Sequence, residues 1–148
     1  MSGDSDRAVD AALAHHRAGR LVEAESIYLE ILAAAPRQVS ALHGLALVLA
    51  DAGLLAEGRQ LLDRAATLAP EDAGLANSLG LLAMRGGDSL AALAAFDRVL
   101  ALDTGFDEAR VNRGLALLAA GRRAEARGAL EAALERDPRH VMALAALG

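Results

Sequence analysis

The chain has 148 residues, of which 54% are hydrophobic, 24% charged and only 2% aromatic. This composition excludes an intrinsically disordered chain and favours closely packed helices over β-sheet, which prefers β-branched and aromatic residues. The absence of cysteine excludes disulfides, thiolate metal sites and cysteine nucleophiles, and the net charge of −5 gives no electrostatic reason to expect nucleic acid or an anionic membrane as a partner.

The N-terminal residues show no pattern of an export signal. Asp4, Asp6 and Asp10 interrupt any apolar run there, so we expect no signal peptide. No uncharged stretch approaches the ~20 residues that a membrane-spanning helix needs; the longest are residues 38–50 and 73–84. We therefore predict a cytoplasmic protein without membrane insertion. All fifteen basic residues are arginine, which with the abundant alanine and glycine suggests a GC-rich bacterial genome.

Residues of the same kind recur every 34 positions along the chain. The series are glycine (Gly19, Gly53, Gly87, Gly121), leucine (Leu13, Leu47, Leu81, Leu115), a small residue (Ala24, Gly58, Ala92, Ala126), a large residue (Tyr28, Leu62, Phe96, Leu130) and proline (Pro36, Pro70, Pro138, with Thr104 in the third copy). The chain is therefore predicted to consist of an N-terminal tail (1–4), four repeats (5–38, 39–72, 73–106 and 107–140) and a terminal helix (141–148).

Each repeat is predicted to form two helices. In the first copy, one helix runs from about residue 6 to 18, where Gly19 supplies a left-handed backbone conformation that ends it. A second helix runs from about residue 21 to 34, and Pro36 prevents its continuation. Short connections make neighbouring helices antiparallel, so the repeats are helical hairpins that bury their faces by stacking. Small residues at the Ala12 and Ala24 positions permit close approach, and the large residue at the Tyr28 position fills the gap to the next pair.

The 34-residue unit resembles the tetratricopeptide repeat (TPR). The resemblance covers residues 5–148 and is carried by Gly80, Gly87, Ala92 and Phe96 in the third copy, and by Gly114, Gly121, Ala126 and Pro138 in the fourth. It implies an all-α, right-handed α-solenoid of stacked antiparallel hairpins, whose first helices line a concave groove where other proteins bind. One departure is Arg113, which occupies a place for a large apolar residue and is expected either to loosen the fourth hairpin or to expose it.

The resemblance assigns a set of residues to the partner-binding groove. They are Leu13, His16, Arg17, His43, Leu47, Asp51, Asn77, Leu81, Met84, Arg85, Val111 and Leu115. Either the leucines form an exposed stripe for a peptide or an amphipathic helix of another protein, or they only pack between neighbouring first helices. Asn77 is the best candidate to hydrogen-bond a partner's backbone. Binding of acidic chaperone tails is not expected, because Val9, Leu13 and Ser78 stand where that clamp needs Lys, Arg or Asn.

No constellation of residues points to catalysis, a metal or a cofactor. His15 and His16 project about 100° apart on a helix and cannot share one metal ion, and the other histidines stand alone. The chain lacks metalloprotease, phosphate-loop and serine-nucleophile motifs, and Gly87 in the glycine-rich loop is the repeat's own helix stop. We therefore predict a non-catalytic protein.

Three functional interpretations remain open from the sequence. The leading one is a scaffold for protein–protein interaction. In the second, the uncharged residues 141–147 pair with a second copy of the chain, since the terminal helix of a solenoid normally has a polar outer face. In the third, the chain is a recognition segment of a transferase system, because residues 16–25 resemble repeats that precede catalytic domains in some bacterial glycosyltransferases and sulfotransferases.

Overall fold

The computed structural model describes residues 2–148, and within them it contains nine α-helices and no strand. The helices are α1 (Ser2–Arg17), α2 (Leu21–Ala34), α3 (Val39–Asp51), α4 (Leu55–Leu68), α5 (Ala73–Arg85), α6 (Ser89–Leu102), α7 (Asp107–Ala119), α8 (Arg123–Arg136) and α9 (Val141–Leu147). They form two compact units: unit 1 extends to Pro70 and contains α1–α4, and unit 2 begins at Glu71 and contains α5–α9. The prediction of an all-α protein is confirmed.

The helices end where the repeat pattern predicts. Gly19, Gly53, Gly87 and Gly121 have φ values of +77°, +90°, +79° and +78°, and among residues 2–148 no residue other than glycine has a positive φ. A left-handed conformation is costly for a residue with a Cβ atom, so glycine stops each first helix at the same place.

The structure differs from the prediction at the N-terminus. Helix α1 begins at Ser2, so residues 2–4, which were predicted as a tail, form its first turn. Asp4 lies in that turn, where a carboxylate interacts favourably with the positive end of the helix dipole. Met1 lies outside the described residues.

Unit 1 is held together by Tyr28 of the first hairpin, which reaches the second. Tyr28 is 1% exposed and packs with Ile31, Leu45 and Val48. A Cβ atom built on Gly44 of α3 would lie only 2.2 Å from Cζ of the Tyr28 ring. The aromatic side chain therefore fills the gap between consecutive hairpins, as predicted.

In unit 2 the large residue at this repeat position packs against a glycine inside its own hairpin, whereas the prediction placed it in the gap to the next pair. A Cβ atom on Gly80 would lie 2.5 Å from Cε1 of Phe96, and one on Gly114 would lie 2.6 Å from Cδ2 of Leu130. Both large side chains are fully buried. The missing Cβ atoms let α5 approach α6, and α7 approach α8, closely enough to exclude water from the core. Among the helices of residues 2–148, none is both long and apolar enough to cross a membrane.

Candidate functional site

The first-helix surface of unit 1 consists of the predicted groove residues on α1 and α3. It is made of Leu13, His16, Arg17, His43, Leu47 and Asp51. Residues three or four apart share one face of a helix, so the helices place these side chains together along α1 and along α3. Nε2 of His16 lies 2.6 Å from Oδ2 of Asp51, which links the two helices. Leu13 and Leu47 are half-buried, whereas Arg17 is exposed.

The first-helix surface of unit 2 consists of the predicted groove residues on α5 and α7. It is made of Asn77, Leu81, Met84, Arg85, Val111 and Leu115. Leu81, Met84 and Leu115 are half-buried and pack against core residues, while Arg85 is exposed. Asn77 is 7% exposed, and its Oδ1 atom is buried without a hydrogen-bond partner.

Val111 is a correction to the predicted surface. It is 2% exposed, because it packs with Leu130 and Ala133 of α8 and Ala143 of α9. A side chain covered in this way offers no area to a partner, and Asn77 is nearly as buried, so Leu81, Met84, Arg85 and Leu115 define the accessible first-helix surface of unit 2.

Comparison with known families accounts for the repeat pattern. A model of the tetratricopeptide repeat matches residues 9–73, 43–105, 77–140 and 111–148, four overlapping segments that span nearly the whole chain. This chain belongs to the tetratricopeptide repeat family. The resemblance seen in the sequence is thereby confirmed.

Solved structures show the same TPR fold. The crystal structure of MamA is 24% identical, with 99% of this chain and 80% of MamA covered at a TM-score of 0.84. YrrB, described as a TPR protein with an unusual peptide-binding site, is 23% identical, with 95% and 72% covered at a TM-score of 0.78. An O-GlcNAc transferase of Thermobaculum terrenum is 21% identical, with 91% of this chain but 26% of the transferase covered at a TM-score of 0.81.

The leucines of the TPR first helices combine features of the two interpretations drawn from the sequence. All four members of the series, Leu13, Leu47, Leu81 and Leu115, are half-buried. The two in unit 2 contact core residues and still keep part of their surface accessible. Leu81 and Leu115 therefore pack against the core and offer apolar area at the same time.

The histidines and the glycine-rich loop have structural partners in this TPR chain. Nε of Arg20 donates a 2.8 Å hydrogen bond to Nδ1 of His15, so His15 and His16 contact different residues. Asp88 caps α6 by accepting a 3.0 Å hydrogen bond from the backbone N–H of Ala91. Among residues 2–148, no group of three or more potential metal ligands occurs.

A cluster of arginines in unit 2 was not identified from the sequence. Arg113 is half-buried, and its Nε donates a 2.5 Å hydrogen bond to Oδ1 of Asp97 on α6. Arg110 and Arg136 lie beside it around one cavity. The signal in the sequence is that two repeat positions that are apolar in the first three copies carry Arg110 and Arg113 in the fourth.

Proposed function

We propose that this chain is a non-catalytic module that binds a peptide or an amphipathic helix of another protein through its first-helix surfaces. The observation that carries the proposal is the half-buried leucine at the same position of all four first helices. Covering apolar surface contributes about 25 cal/mol per Å², so aliphatic side chains of a ligand are the groups that the leucines of each unit favour.

Polar atoms beside the leucines suit a peptide backbone. In unit 2, Oδ1 of Asn77 is a buried acceptor without a partner, a situation that costs about 1–3 kcal/mol. A rotation of the amide toward the surface would offer this oxygen to an N–H of a bound peptide. In unit 1, the exposed guanidinium of Arg17 lies one residue from His16 and is a donor for a peptide carbonyl.

The structural comparisons support the same class of function. YrrB is described as having a peptide-binding site, and 95% of the present chain shares the fold of YrrB. The transferase likeness covers only about a quarter of that enzyme, so it supplies no reason to expect a catalytic domain within these residues.

The test is affinity capture from a lysate of the source organism with the native chain and two charge variants. Leu47→Glu places a carboxylate on the surface of unit 1, and Leu81→Glu places one on that of unit 2. The matched controls are Val22→Glu and Leu90→Glu, because these side chains lie on second helices and are already 77% and 70% exposed. We expect a partner to be retained by the native chain and both controls, and lost with at least one groove variant.

Circular dichroism of every variant separates loss of binding from loss of folding. Retention of the partner by folded Leu47→Glu and Leu81→Glu would contradict the proposal and place the interface elsewhere. Capture of no protein by the native chain would also contradict it, and would leave packing as the role of the leucines.

A second candidate function, self-association, is favoured by helix α9. Val141, Met142 and Leu144 are 76%, 55% and 48% exposed, while Ala143 anchors the helix by packing against Leu130. Exposed apolar side chains on one short helix suit pairing with a second copy of the chain. Light scattering tests this: a mass of two chains that falls to one in Val141→Lys/Met142→Lys supports pairing, and a single-chain mass in the native protein excludes it.

A further inference from the structure

Helix α9 covers part of the first-helix surface of unit 2. Its residue Ala143 is 0% exposed and packs against Val111 of α7 and against Leu130 and Ala133 of α8. Val111 has the repeat position of a groove residue and is 2% exposed only because α9 and α8 cover it. Undocking of α9 would therefore return the side chain of Val111 to the surface where a partner is proposed to bind.

Few contacts hold α9 in place. The helix has seven residues, and a helix this short is not stable in water on its own. Ala143 is its one buried side chain, while Ala146 and Leu147 are half-buried against the same cluster. Because so little apolar area is covered, the hydrogen bond that caps the first turn is important for keeping α9 helical and docked.

The cap of α9 is a histidine. The backbone N–H of Ala143 donates a 3.4 Å hydrogen bond to Nδ1 of His140. Only an unprotonated ring nitrogen accepts a hydrogen bond, and both nitrogens of a protonated histidine carry hydrogen. Protonation of His140 therefore removes the cap, and it also places a positive charge at the positive end of the helix dipole.

The equivalent position before the other first helices holds different side chains. Gln38 before α3 and Asp72 before α5 accept hydrogen bonds of 2.8 and 3.1 Å from backbone N–H groups of the helices they cap. Phe106 before α7 makes no side-chain cap. Of these four residue types, histidine is the one whose charge changes between pH 5 and 8. The dependence on pH is therefore specific to α9.

The charged groups near the start of α9 belong to other elements. Residues 141–147 carry no charge, and α9 packs against α7 and α8. The charged groups at this end of unit 2 are Asp107 and Glu108 of α7, Arg136 of α8, and Asp137 and Arg139 of the connecting loop. Since none of them lies on α9, they act on the imidazole in the docked and undocked states alike, whereas the cap exists only in the docked state.

The docked state thus favours the neutral form of His140, and the undocked state takes up the proton more readily. The stabilisation by the cap is complete above the pH range in which histidine titrates, and it is lost as the pH falls through that range. We propose that α9 is a histidine-capped cover over Val111 that undocks below neutral pH and enlarges the first-helix surface of unit 2. The resulting gain in peptide binding rests on the proposed function, whereas the undocking does not.

The test is an NMR titration of the full chain from pH 8 to pH 5 without any ligand. The Cα chemical shifts of residues 141–147 report the helical fraction of α9, and the methyl signals of Val111 report its cover. We expect the ratio of docked to undocked α9 to fall about threefold to thirtyfold, as the loss of a cap implies. The signals of Val111 should change over the same pH range.

Variants that copy the other first helices are the matched comparisons. His140→Gln, which introduces the residue found before α3, should keep α9 docked throughout the titration. His140→Phe, which introduces the residue found before α7, should leave α9 less docked at every pH. His15→Gln is the control for histidine titration elsewhere, because His15 lies in α1 and contacts Arg20. It should leave the pH response of α9 unchanged.

Three results would overturn the proposal. They are an α9 that stays equally helical from pH 8 to pH 5, a His140→Gln variant that loses this helix as the native chain does, and Val111 signals that stay constant while α9 melts. Capture of the partner near pH 6 and near pH 7.5 tests the gain in binding: the native chain should retain more partner at the lower pH, and His140→Gln the same amount at both. Because the titration needs no partner, a failed capture would contradict the proposed function and leave the result for α9 standing.

Discussion

Nε2 of His16 lies 2.6 Å from Oδ2 of Asp51, and this contact joins α1 to α3 across 35 residues of sequence. The side chain of His16 is 14% exposed and that of Asp51 is 45% exposed. His16 is the twelfth residue of its repeat and Asp51 the thirteenth of the next. The contact between α1 and α3 therefore joins residues one position apart in the repeat, and this offset brings a histidine next to an aspartate.

A double-mutant cycle measures the contribution of this contact to stability. We expect His16→Ala and Asp51→Ala to show a coupling free energy of about 0.5–1 kcal/mol in urea unfolding, because one partner is partly exposed. Added salt should reduce the coupling. A coupling of zero at low salt would show that the two side chains are neighbours without a stabilising interaction.

The close approach of α5 and α6 makes Gly80 intolerant of a larger residue. A Cβ atom there would lie 2.5 Å from Cε1 and 2.7 Å from Cζ of Phe96, and the ring is fully buried within a packed core. We expect Gly80→Ala to lower the free energy of unfolding by about 1–3 kcal/mol, measured by chemical denaturation.

Gly128→Ala is the control for this substitution. Gly128 lies in α8 with no heavy atom within 4 Å of a built Cβ atom, so alanine should stabilise the helix by about 0.5–1 kcal/mol. If Gly80→Ala stabilised the chain as Gly128→Ala is expected to, helix propensity and not packing would dominate at Gly80.

The fold could be predicted because its determinants are local and repeated. A glycine such as Gly87 ends its helix through its own backbone conformation, and small residues such as Gly80 recur at the position where two helices approach closely. Each feature occurs in several copies of the repeat, so the pattern in the sequence is not a coincidence.

The surfaces could not be predicted to the same extent, because their exposure depends on which other helix covers them. Val111 has the repeat position of a groove residue but is covered by Ala143 of α9. Arg113 has the position of a core residue but finds Asp97 on another helix. Repeat register assigns the face of a helix, and only the tertiary neighbours decide burial and pairing.

Helices α4 and α6 start at equivalent repeat positions, but only α6 has a side-chain cap. Asp88 and Leu54 occupy the same repeat position with nearly the same backbone, φ −94° and ψ 78° against φ −94° and ψ 66°. Asp88 accepts a hydrogen bond from the N–H of Ala91, and Leu54 makes no side-chain cap. A side-chain cap contributes about 0.5–2 kcal/mol to stability. Thermal unfolding should therefore show that Asp88→Leu lowers the stability of the chain and that Leu54→Asp raises it. A loss of stability in both variants would show that the Leu54 side chain stabilises the chain more by packing than an aspartate cap would.

The alkaline stability of the chain should report on a single side chain. Tyr28 is the only tyrosine, and the chain has no lysine or cysteine, so few other side chains titrate near pH 10. Burial raises the pKa of the Tyr28 phenol above its ordinary value, because the charged phenolate is disfavoured inside the protein.

The sign of the pH dependence follows from this direction. The unfolded chain releases the phenolic proton at a lower pH than the folded one, so the contribution of Tyr28 to stability is constant below about pH 10 and falls as the pH rises beyond it. Tyr28→Phe should remove this fall, and it should fold normally because Phe96 fills the equivalent position of the third repeat. Urea unfolding at a series of alkaline pH values, with tyrosinate absorbance to follow Tyr28 itself, makes the measurement. An equally steep fall in Tyr28→Phe would show that another group, such as an arginine ion pair, limits stability at high pH.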